Sequence, residues 1–171
     1  MLSESARMTT AHEASFRIQY PNSKPRAAKI VALDGESAKL VDEISRQPWN
    51  GAKFFTSLSF FADSEPGTTE RGMKAWLNDL AGRAMDLADE VREADFVVAI
   101  TAAGEDARAV SVIAAACKAH SKTLIGLVVP KPGASEADVT ASLDHLRPHA
   151  AMLVVASGRD YIETMLTALR A

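Results

Sequence analysis

The residues of this chain that come closest to a ligand-binding arrangement lie in "DFVVAITAAGEDARAV", residues 95–110. A continuous apolar run ends at Thr101, two alanines and Gly104 follow, and a helical pattern begins after them. A junction of this kind between a strand and a helix offers free backbone N–H groups and the positive end of a helix dipole, which favour a phosphate or a carboxylate. The stretch therefore predicts a place where an anionic ligand meets the end of a strand.

A second stretch of the same kind follows the first apolar run. "AAKIVAL" (27–33) leads into "DGES", at the start of another helical pattern. An arginine after the last apolar run supplies a positive charge. One hypothesis, the alternative to an interaction protein, is an enzyme or sensor that holds a small phosphorylated or carboxylated metabolite in one crevice between these loops. Its candidate ligand-binding residues are Asp34, Gly35, Ser37, Thr101, Gly104 and Arg159.

The same two loops contain few glycines and several carboxylates. Glu36 follows Gly35, and Glu105 and Asp106 follow Gly104, so acidic side chains occupy the expected first turns of the helices and repel a phosphate. Neither GxGxxG nor GxxxxGK[ST] occurs in the chain. The sequence thus predicts weak binding of nucleoside triphosphates or none, no cofactor and no catalytic residues.

Ligands for a metal ion are present but are not grouped as a site. His145 and His149 are four residues apart, but Pro148 ends the helix between them, so their rings need not converge. Carboxylates at strand ends are the ligands that a hard divalent cation would use. They are Asp34, Asp63, Glu65 and Asp160. We expect no bound metal ion.

Length and composition exclude several classes of protein. The 171 residues suit one domain, and the net charge of −3, with no basic block, argues against broad nucleic-acid binding. The single Cys117 allows neither an internal disulfide nor a zinc cluster. No apolar run is long enough to span a bilayer, and the first residues lack the basic flank and hydrophobic region of a signal peptide. We expect a cytoplasmic protein that binds neither nucleic acid nor membranes.

Five short apolar runs alternate with helical patterns. The runs are 27–33, 53–61, 96–100, 123–129 and 151–156. Apolar strands separated by helices predict a parallel sheet that is covered on both faces. We expect a three-layer, doubly wound α/β domain of about five strands over residues 27–171, Rossmann-like or flavodoxin-like, with the spatial order 2-1-3-4-5. This order places the two candidate loops on either side of the switch point.

The other segments predict an arm, a loop and a long helix. Residues 1–26 are polar and predict a flexible N-terminal arm, in which "SFRIQY" alternates as an edge strand does. Residues 62–72 form a long loop, either a lid or a solvated connector. Apolar residues recur at three- and four-residue spacing from 73 to 94 and predict an amphipathic helix. The polar residues of the second strand predict that it lies at an edge of the sheet.

As an ordered series, residues 70–168 resemble the GTPase domain of FtsZ, the bacterial relative of tubulin. A long helix leads into "EADFVVAITAAG", then "SVIAAACKAH", "KTLIGLVVPKP" and "AMLVVASGRDYI" follow. In that family the corresponding strands end in Thr-Ala-Gly, near Lys-Pro and in an Asn-Asp pair. "KIVALDGES" stands where the family has its first glycine-rich loop. The resemblance implies a Rossmann-like fold.

The chain differs from that family at the residues that bind nucleotide. After "TAAG" the family signature GGGTGTG is replaced by "EDAR", and the first loop lacks its run of glycines. The chain ends where the family's connecting helix and second domain begin, so we expect the residues that hydrolyse GTP between subunits to be absent. The resemblance implies the fold without the GTPase activity.

A second resemblance concerns "AITAAGEDARAV" alone. This stretch is similar to the phosphosugar-binding SIS domain, in which a strand ends in Ser-x-Ser-Gly-Glu-Thr. Thr101, Ala103 and Asp106 stand at the positions of the three hydroxyl-bearing residues, so one hydroxyl of the three is kept. This resemblance implies a sugar phosphate as ligand, held by fewer hydrogen bonds than in that family.

The helical pattern after residue 105 is apolar on nearly every side. From Ala109 to Cys117 it reads "AVSVIAAAC", with Ser111 as the one polar residue. A helix on one face of a sheet needs a single apolar stripe, so this helix must also be covered on its outer side. Either the 73–94 helix or a second copy of the same helix would supply that cover. We therefore expect a homodimer or another assembly with this helix at or just beneath the contact.

Overall fold

The computed structural model describes residues 24–57 and 76–171. The predicted loop 62–72, the end of the predicted second strand and most of the predicted arm, with its expected edge strand, lie outside these residues. The elements in chain order are β1 (Ala28–Ala32), α1 (Gly35–Ser45), β2 (Ala52–Thr56), β3 (Trp76–Asp79), β4 (Ala84–Asp86), α2 (Leu87–Glu93), β5 (Phe96–Ala102), α3 (Ala109–Ala119), β6 (Thr123–Val129), α4 (Glu136–Leu146), β7 (Met152–Val155) and α5 (Arg159–Ala168).

The described strands form one sheet in the order β4-β3-β2-β1-β5-β6-β7. The strands β2, β1, β5, β6 and β7 run parallel, which confirms the predicted order 2-1-3-4-5. Two further strands, β3 and β4, extend the sheet beyond β2 in antiparallel fashion. The register pairs Ala32 with Ile100 and Ala102 with Val129, so the carboxyl ends of the central strands meet at one edge.

The helix predicted over 73–94 is wrong in its described part, which contains the β3–β4 hairpin and only the seven-residue helix α2. The hairpin turn is stabilised by Asp79, whose Oδ1 accepts hydrogen bonds from the N–H groups of Ala81 and Arg83 at 3.0 and 2.8 Å. Gly82 supplies the left-handed conformation that the turn requires, with φ of 79°. The three-residue spacing of apolar residues here arises from two short strands and a turn.

β2 is an inner strand of the sheet, so the prediction that it lies at an edge is wrong. Phe55 pairs with Asp79 of β3 on one side and with Val31 of β1 on the other. The polar residue that follows β2 has a partner inside the protein, because the buried Ser57 hydroxyl donates to the carbonyl of Ala32 at 3.1 Å. The polar side chain of Ser57 therefore makes a buried hydrogen bond and does not contact water.

Helices cover both faces of the sheet, as the three-layer prediction requires. One apolar cluster joins the sheet to α1 and α5 through Val41, Ile44, Ile162 and Leu166. The cluster on the opposite face joins it to α2, α3 and α4 and includes Leu87, Val91, Val110, Ile113 and Leu146. β5 is buried at every residue because it lies between both clusters, which explains why its sequence is a continuous apolar run.

A buried ion pair lies in the face that α2 covers. Lys29 of β1 and Glu90 of α2 have side chains that are 3% and 7% exposed, and Lys29 Nζ lies 2.6 Å from Glu90 Oε2. Lys53 Nζ lies 3.8 Å from the same oxygen, but this side chain is 57% exposed. Two lysines therefore share one carboxylate, an arrangement that the apolar run around Lys29 did not indicate.

Two helices begin with reciprocal caps that the sequence encodes locally. Asp34 and Ser37 form a capping box at the start of α1. Ser135 and Asp138 form another at the start of α4. Among the described residues, no helix combines the length and the apolar character needed to cross a membrane.

Candidate functional site

The Asp34 carboxylate binds groups of the protein itself at the carboxyl edge of the sheet. Its Oδ2 accepts hydrogen bonds from Thr101 Oγ1 and from the N–H of Ala102, both at 2.9 Å. Its Oδ1 accepts from the N–H of Ser37 at 2.8 Å. Asp34, Ser37 and Thr101 are all buried. The structure thus brings three of the six candidate residues together, in a network that ties the end of β1 to the end of β5.

This network occupies the position that an anion would take at the start of α1. The N–H of Ser37 is one of the donors that a helix N-terminus would offer to a phosphate, and the Asp34 carboxylate already accepts from it. A second negative charge here would meet Asp34 at close range. Gly35 is exposed beside the network, with open space around its Cα. The Asp34 side chain therefore occupies the place in the first loop where an anionic ligand would bind.

Gly104 lies in the second loop and is held away from the network. Its φ is 79°, and its N–H donates to the buried Ser142 hydroxyl of α4 at 2.9 Å. A Cβ at this position would lie 3.2 Å from the Asp138 Cβ. The glycine is thus required by backbone conformation and by close packing against α4, and its N–H is already bonded.

The acidic residues of the second loop precede α3 rather than occupy its first turn, which corrects the predicted helix start. The helix begins at Ala109, and its first turn contains no acidic residue. Asp106 is paired with Arg108, whose side chain donates to both carboxylate oxygens and holds the pKa of Asp106 below its usual value. The carboxylates are neutralised locally, so the repulsion that they exert on an anion is weaker than their sequence position predicted.

Lys131, which follows β6, pairs with Glu105 across the crevice. The hydrogen bond to Glu105 is the largest cause that raises the pKa of Lys131, and the negative charges of Glu36 and Asp34 add to it. The pKa of Asp138 is lowered, first by the N–H of Ser135 and to a lesser degree by Lys131. The charge of Lys131 is therefore balanced by its acidic neighbours, so this lysine offers little net attraction to a phosphate.

Arg159 lies across a cleft of about 210 Å³ from these residues. The cleft runs between α1 and α5, and its lining includes Leu40, Val129, Lys131 and Gly158 as well as Arg159. Arg159 Nε lies 3.0 Å from Glu163 Oε1, and its Nη1 lies 3.5 Å from Glu43 Oε2. The sixth candidate residue thus lines a cleft, and it follows β7, which lies two strands beyond β5 in the sheet.

The described residues contain no group of three or more histidine, cysteine, aspartate or glutamate side chains arranged to hold a metal ion. His145 and His149 are both exposed at the end of α4. Asp63 and Glu65, named from the sequence among cation ligands, lie outside the described residues.

Sequence reasoning missed two contributors to this edge. The Ser142 hydroxyl binds the Gly104 loop from the middle of α4, and the N–H of Ala102 completes the set of donors to Asp34. Ser142 is a buried hydroxyl in "EADVTASLDHL", where the helical period places it on the face that carries Leu146. That pattern signals a buried polar residue, but the sequence does not say which group it binds.

Comparison with known proteins gives remote matches in structure only. No protein-family model matches the chain, and no curated protein matches it. Among solved structures, a single-residue mutant of FtsZ from M. jannaschii aligns at 14% identity and a TM-score of 0.49, over 94% of this chain and 58% of that one. An empty FtsZ dimer from M. jannaschii aligns at 13% identity and a TM-score of 0.48, over 94% and 57%.

This remote likeness to FtsZ agrees with the resemblance that residues 70–168 show. It concerns the fold alone. The chain spans less than three fifths of the FtsZ chains that it matches.

Proposed function

We propose that this protein acts by associating with further copies of itself, without catalysis and without a bound nucleoside triphosphate. The observation that carries the proposal is the outer edge of β7. The crevice supports the absence of a bound nucleoside triphosphate. Asp34 accepts from the helix N-terminus at which a phosphate would bind, and Glu105 neutralises Lys131.

The outer side of β7 offers an apolar strand edge. No other described strand pairs with that side. The strand reads "MLVV", and Met152 and Val155 are 44% and 52% exposed. Natural proteins usually protect such edges with charged residues, proline or a bulge, and β7 contains neither a charged residue nor proline. An edge of this kind favours pairing with another strand. The β7 strand of a second copy of the protein offers the same apolar edge.

The helix α3, expected at a contact from its sequence, provides a second surface. Val110, Ile113 and Cys117 face the core, whereas Val112 is half-buried and packs against the margin of the core. Ala115 is exposed. Its own subunit therefore covers part of the outer side of α3, and the exposed remainder consists of the small Ala115 and Ala119 together with Lys118.

Size-exclusion chromatography with light scattering, on variants of each surface, tests the proposal. We expect the wild-type protein to elute as a dimer or larger species at micromolar concentration. Val155→Lys places a charge on the β7 edge and should shift the protein toward monomer. Ala137→Lys adds the same charge at an exposed position of α4 and should leave the assembly unchanged. Association that survives Val155→Lys and is lost in Val112→Glu would assign the contact to α3 instead, and a monomeric wild type would refute self-association.

The second candidate function is binding of a small anionic metabolite in the cleft beside Arg159. It is favoured by the start of α5, where Gly158 is the N-cap and no side chain caps the helix. The N-terminus of α5 and Arg159 therefore border one cleft, and backbone N–H groups with an arginine are donors that a phosphate or carboxylate uses.

Thermal shifts with sugar phosphates and dicarboxylates test this second function. Stabilisation should be lost in Arg159→Gln and kept in Arg147→Gln, which removes an exposed arginine on the other side of β7. Stabilisation that is unchanged in Arg159→Gln would exclude the cleft as the site.

A further inference from the structure

A second cleft, distinct from the crevice at the carboxyl edge, lies beside the β3–β4 hairpin. It has a volume of about 430 Å³. Leu80, which is 39% exposed at the hairpin turn, and Met85 give it an apolar lining beside the buried Phe55. A volume of this size and an apolar lining are typical of pockets for small ligands.

The charges around this cleft do not balance. Arg83 is paired with Asp79, with Nε 2.7 Å from Oδ2. Lys29 and Lys53 both face the single carboxylate of Glu90, at 2.6 and 3.8 Å. Glu90 is committed to the buried Lys29, because an uncompensated charge at that position would be costly. Among the residues that the structure describes, the positive charge of Lys53 is therefore in excess at the rim.

We propose that this cleft binds an amphiphilic monocarboxylate, such as a medium-chain fatty acid. The apolar chain lies against Leu80 and Met85, beside the buried Phe55, where it removes the exposed part of Leu80 from water. The carboxylate pairs with Lys53, which places one negative charge beside two lysines that share one carboxylate. A neutral apolar ligand would gain only the first interaction, and acetate only the second.

Calorimetry on the full chain with octanoate, 1-octanol and acetate tests the proposal. We expect octanoate to bind, 1-octanol to bind about tenfold more weakly and acetate to give no signal, since one charge-assisted pair corresponds to roughly that factor. Lys53→Gln should lower octanoate affinity about tenfold and leave 1-octanol unaffected. Leu80→Glu, which also changes an exposed side chain, should weaken both ligands.

Lys39→Gln is the matched control, because Lys39 is an exposed lysine of α1 paired with Glu36 away from the cleft. It should bind octanoate as the wild type does. The proposal would be overturned if octanoate gave no binding, if octanoate and 1-octanol bound equally, or if Lys39→Gln lost as much affinity as Lys53→Gln.

Discussion

Thr101 Oγ1 donates a hydrogen bond to Asp34 Oδ2 at 2.9 Å and thereby joins the ends of two adjacent strands at the switch point of the sheet. In nucleotide-binding proteins with this type of sheet, a ligand occupies the corresponding crevice. Here a side chain of the protein accepts from the donors that such a ligand would use. The Asp34 network is therefore structural, and its loss should be measurable as a loss of stability.

Asp34→Ala should destabilise the protein by about 2–4 kcal/mol, because it leaves the buried N–H groups of Ser37 and Ala102 without their acceptor, removes the Thr101 hydrogen bond and removes a helix cap. Thr101→Val removes one of the three hydrogen bonds and should cost about 1 kcal/mol. Urea unfolding of both variants provides the comparison. An Asp34→Ala stability within about 0.5 kcal/mol of wild type would show that water or another group replaces the carboxylate.

The central part of this fold was predictable from the sequence, because strands buried on both faces must be apolar throughout. β5 and β6 are such runs, and their alternation with helices determines a parallel, doubly wound sheet. The order of the five parallel strands followed from this topology. The hairpin could not be predicted, because β3 and β4 are short and are attached to the sheet through the pairing of β3 with β2. Asp79 and Gly82 are the local signal of a turn. The spacing of the apolar residues around them suggested a continuous helix instead.

The position of the candidate site could be predicted from the sequence, but the hydrogen-bond partners of its residues could not. Sequence reasoning placed Asp34, Ser37 and Thr101 at one crevice, and the structure brings them together. The sequence did not show that the Asp34 carboxylate binds backbone N–H groups of the protein itself. An aspartate after a strand has the same sequence pattern whether it caps a helix or binds a ligand. The ion pair of Lys29 could not be predicted either, since its partner Glu90 lies 61 residues away in the chain.

The buried pair of Lys29 and Glu90 predicts strong coupling between the two residues. Glu90→Leu alone should cost about 3–5 kcal/mol, because it leaves the buried Lys29 charge without its partner. Lys29→Met should cost less, because Lys53 Nζ remains 3.8 Å from Glu90 Oε2. The double variant should be more stable than either single variant, since it buries no charge. Lys53→Gln should change stability by less than about 1 kcal/mol. A double-mutant cycle in urea measures these terms, and additive single effects would contradict the coupling.

Gly104 and Gly133 offer a matched test of packing against α4. Both have left-handed φ angles, 79° and 82°, but only the Gly104 Cα lies against a neighbour, Asp138. Gly133→Ala should cost about 1 kcal/mol from backbone strain alone. Gly104→Ala should cost more, because its new Cβ would approach the Asp138 Cβ to 3.2 Å. Equal losses in thermal unfolding would show that the loop shifts freely away from α4.

Cys117 predicts a loss of stability in alkaline solution. Burial raises the pKa of its thiol from 9.0 to about 11, so between these values the unfolded chain loses a proton that the folded protein keeps. Stability should therefore fall as pH rises from 9 to 11, with a component from this thiol on the order of 2–3 kcal/mol. Cys117→Ala should lack that component. Urea unfolding at both ends of the range checks it, and identical pH slopes for the two proteins would refute it.

Sedimentation velocity of the wild-type protein, with and without GTP and Mg²⁺, tests most directly whether it associates through its own surfaces rather than through a nucleotide. At micromolar concentration we expect a concentration-dependent dimer or larger species whose sedimentation is the same with and without GTP and which Val155→Lys converts to monomer. A protein that stays monomeric at every concentration, or that assembles only when GTP is present, would contradict this expectation.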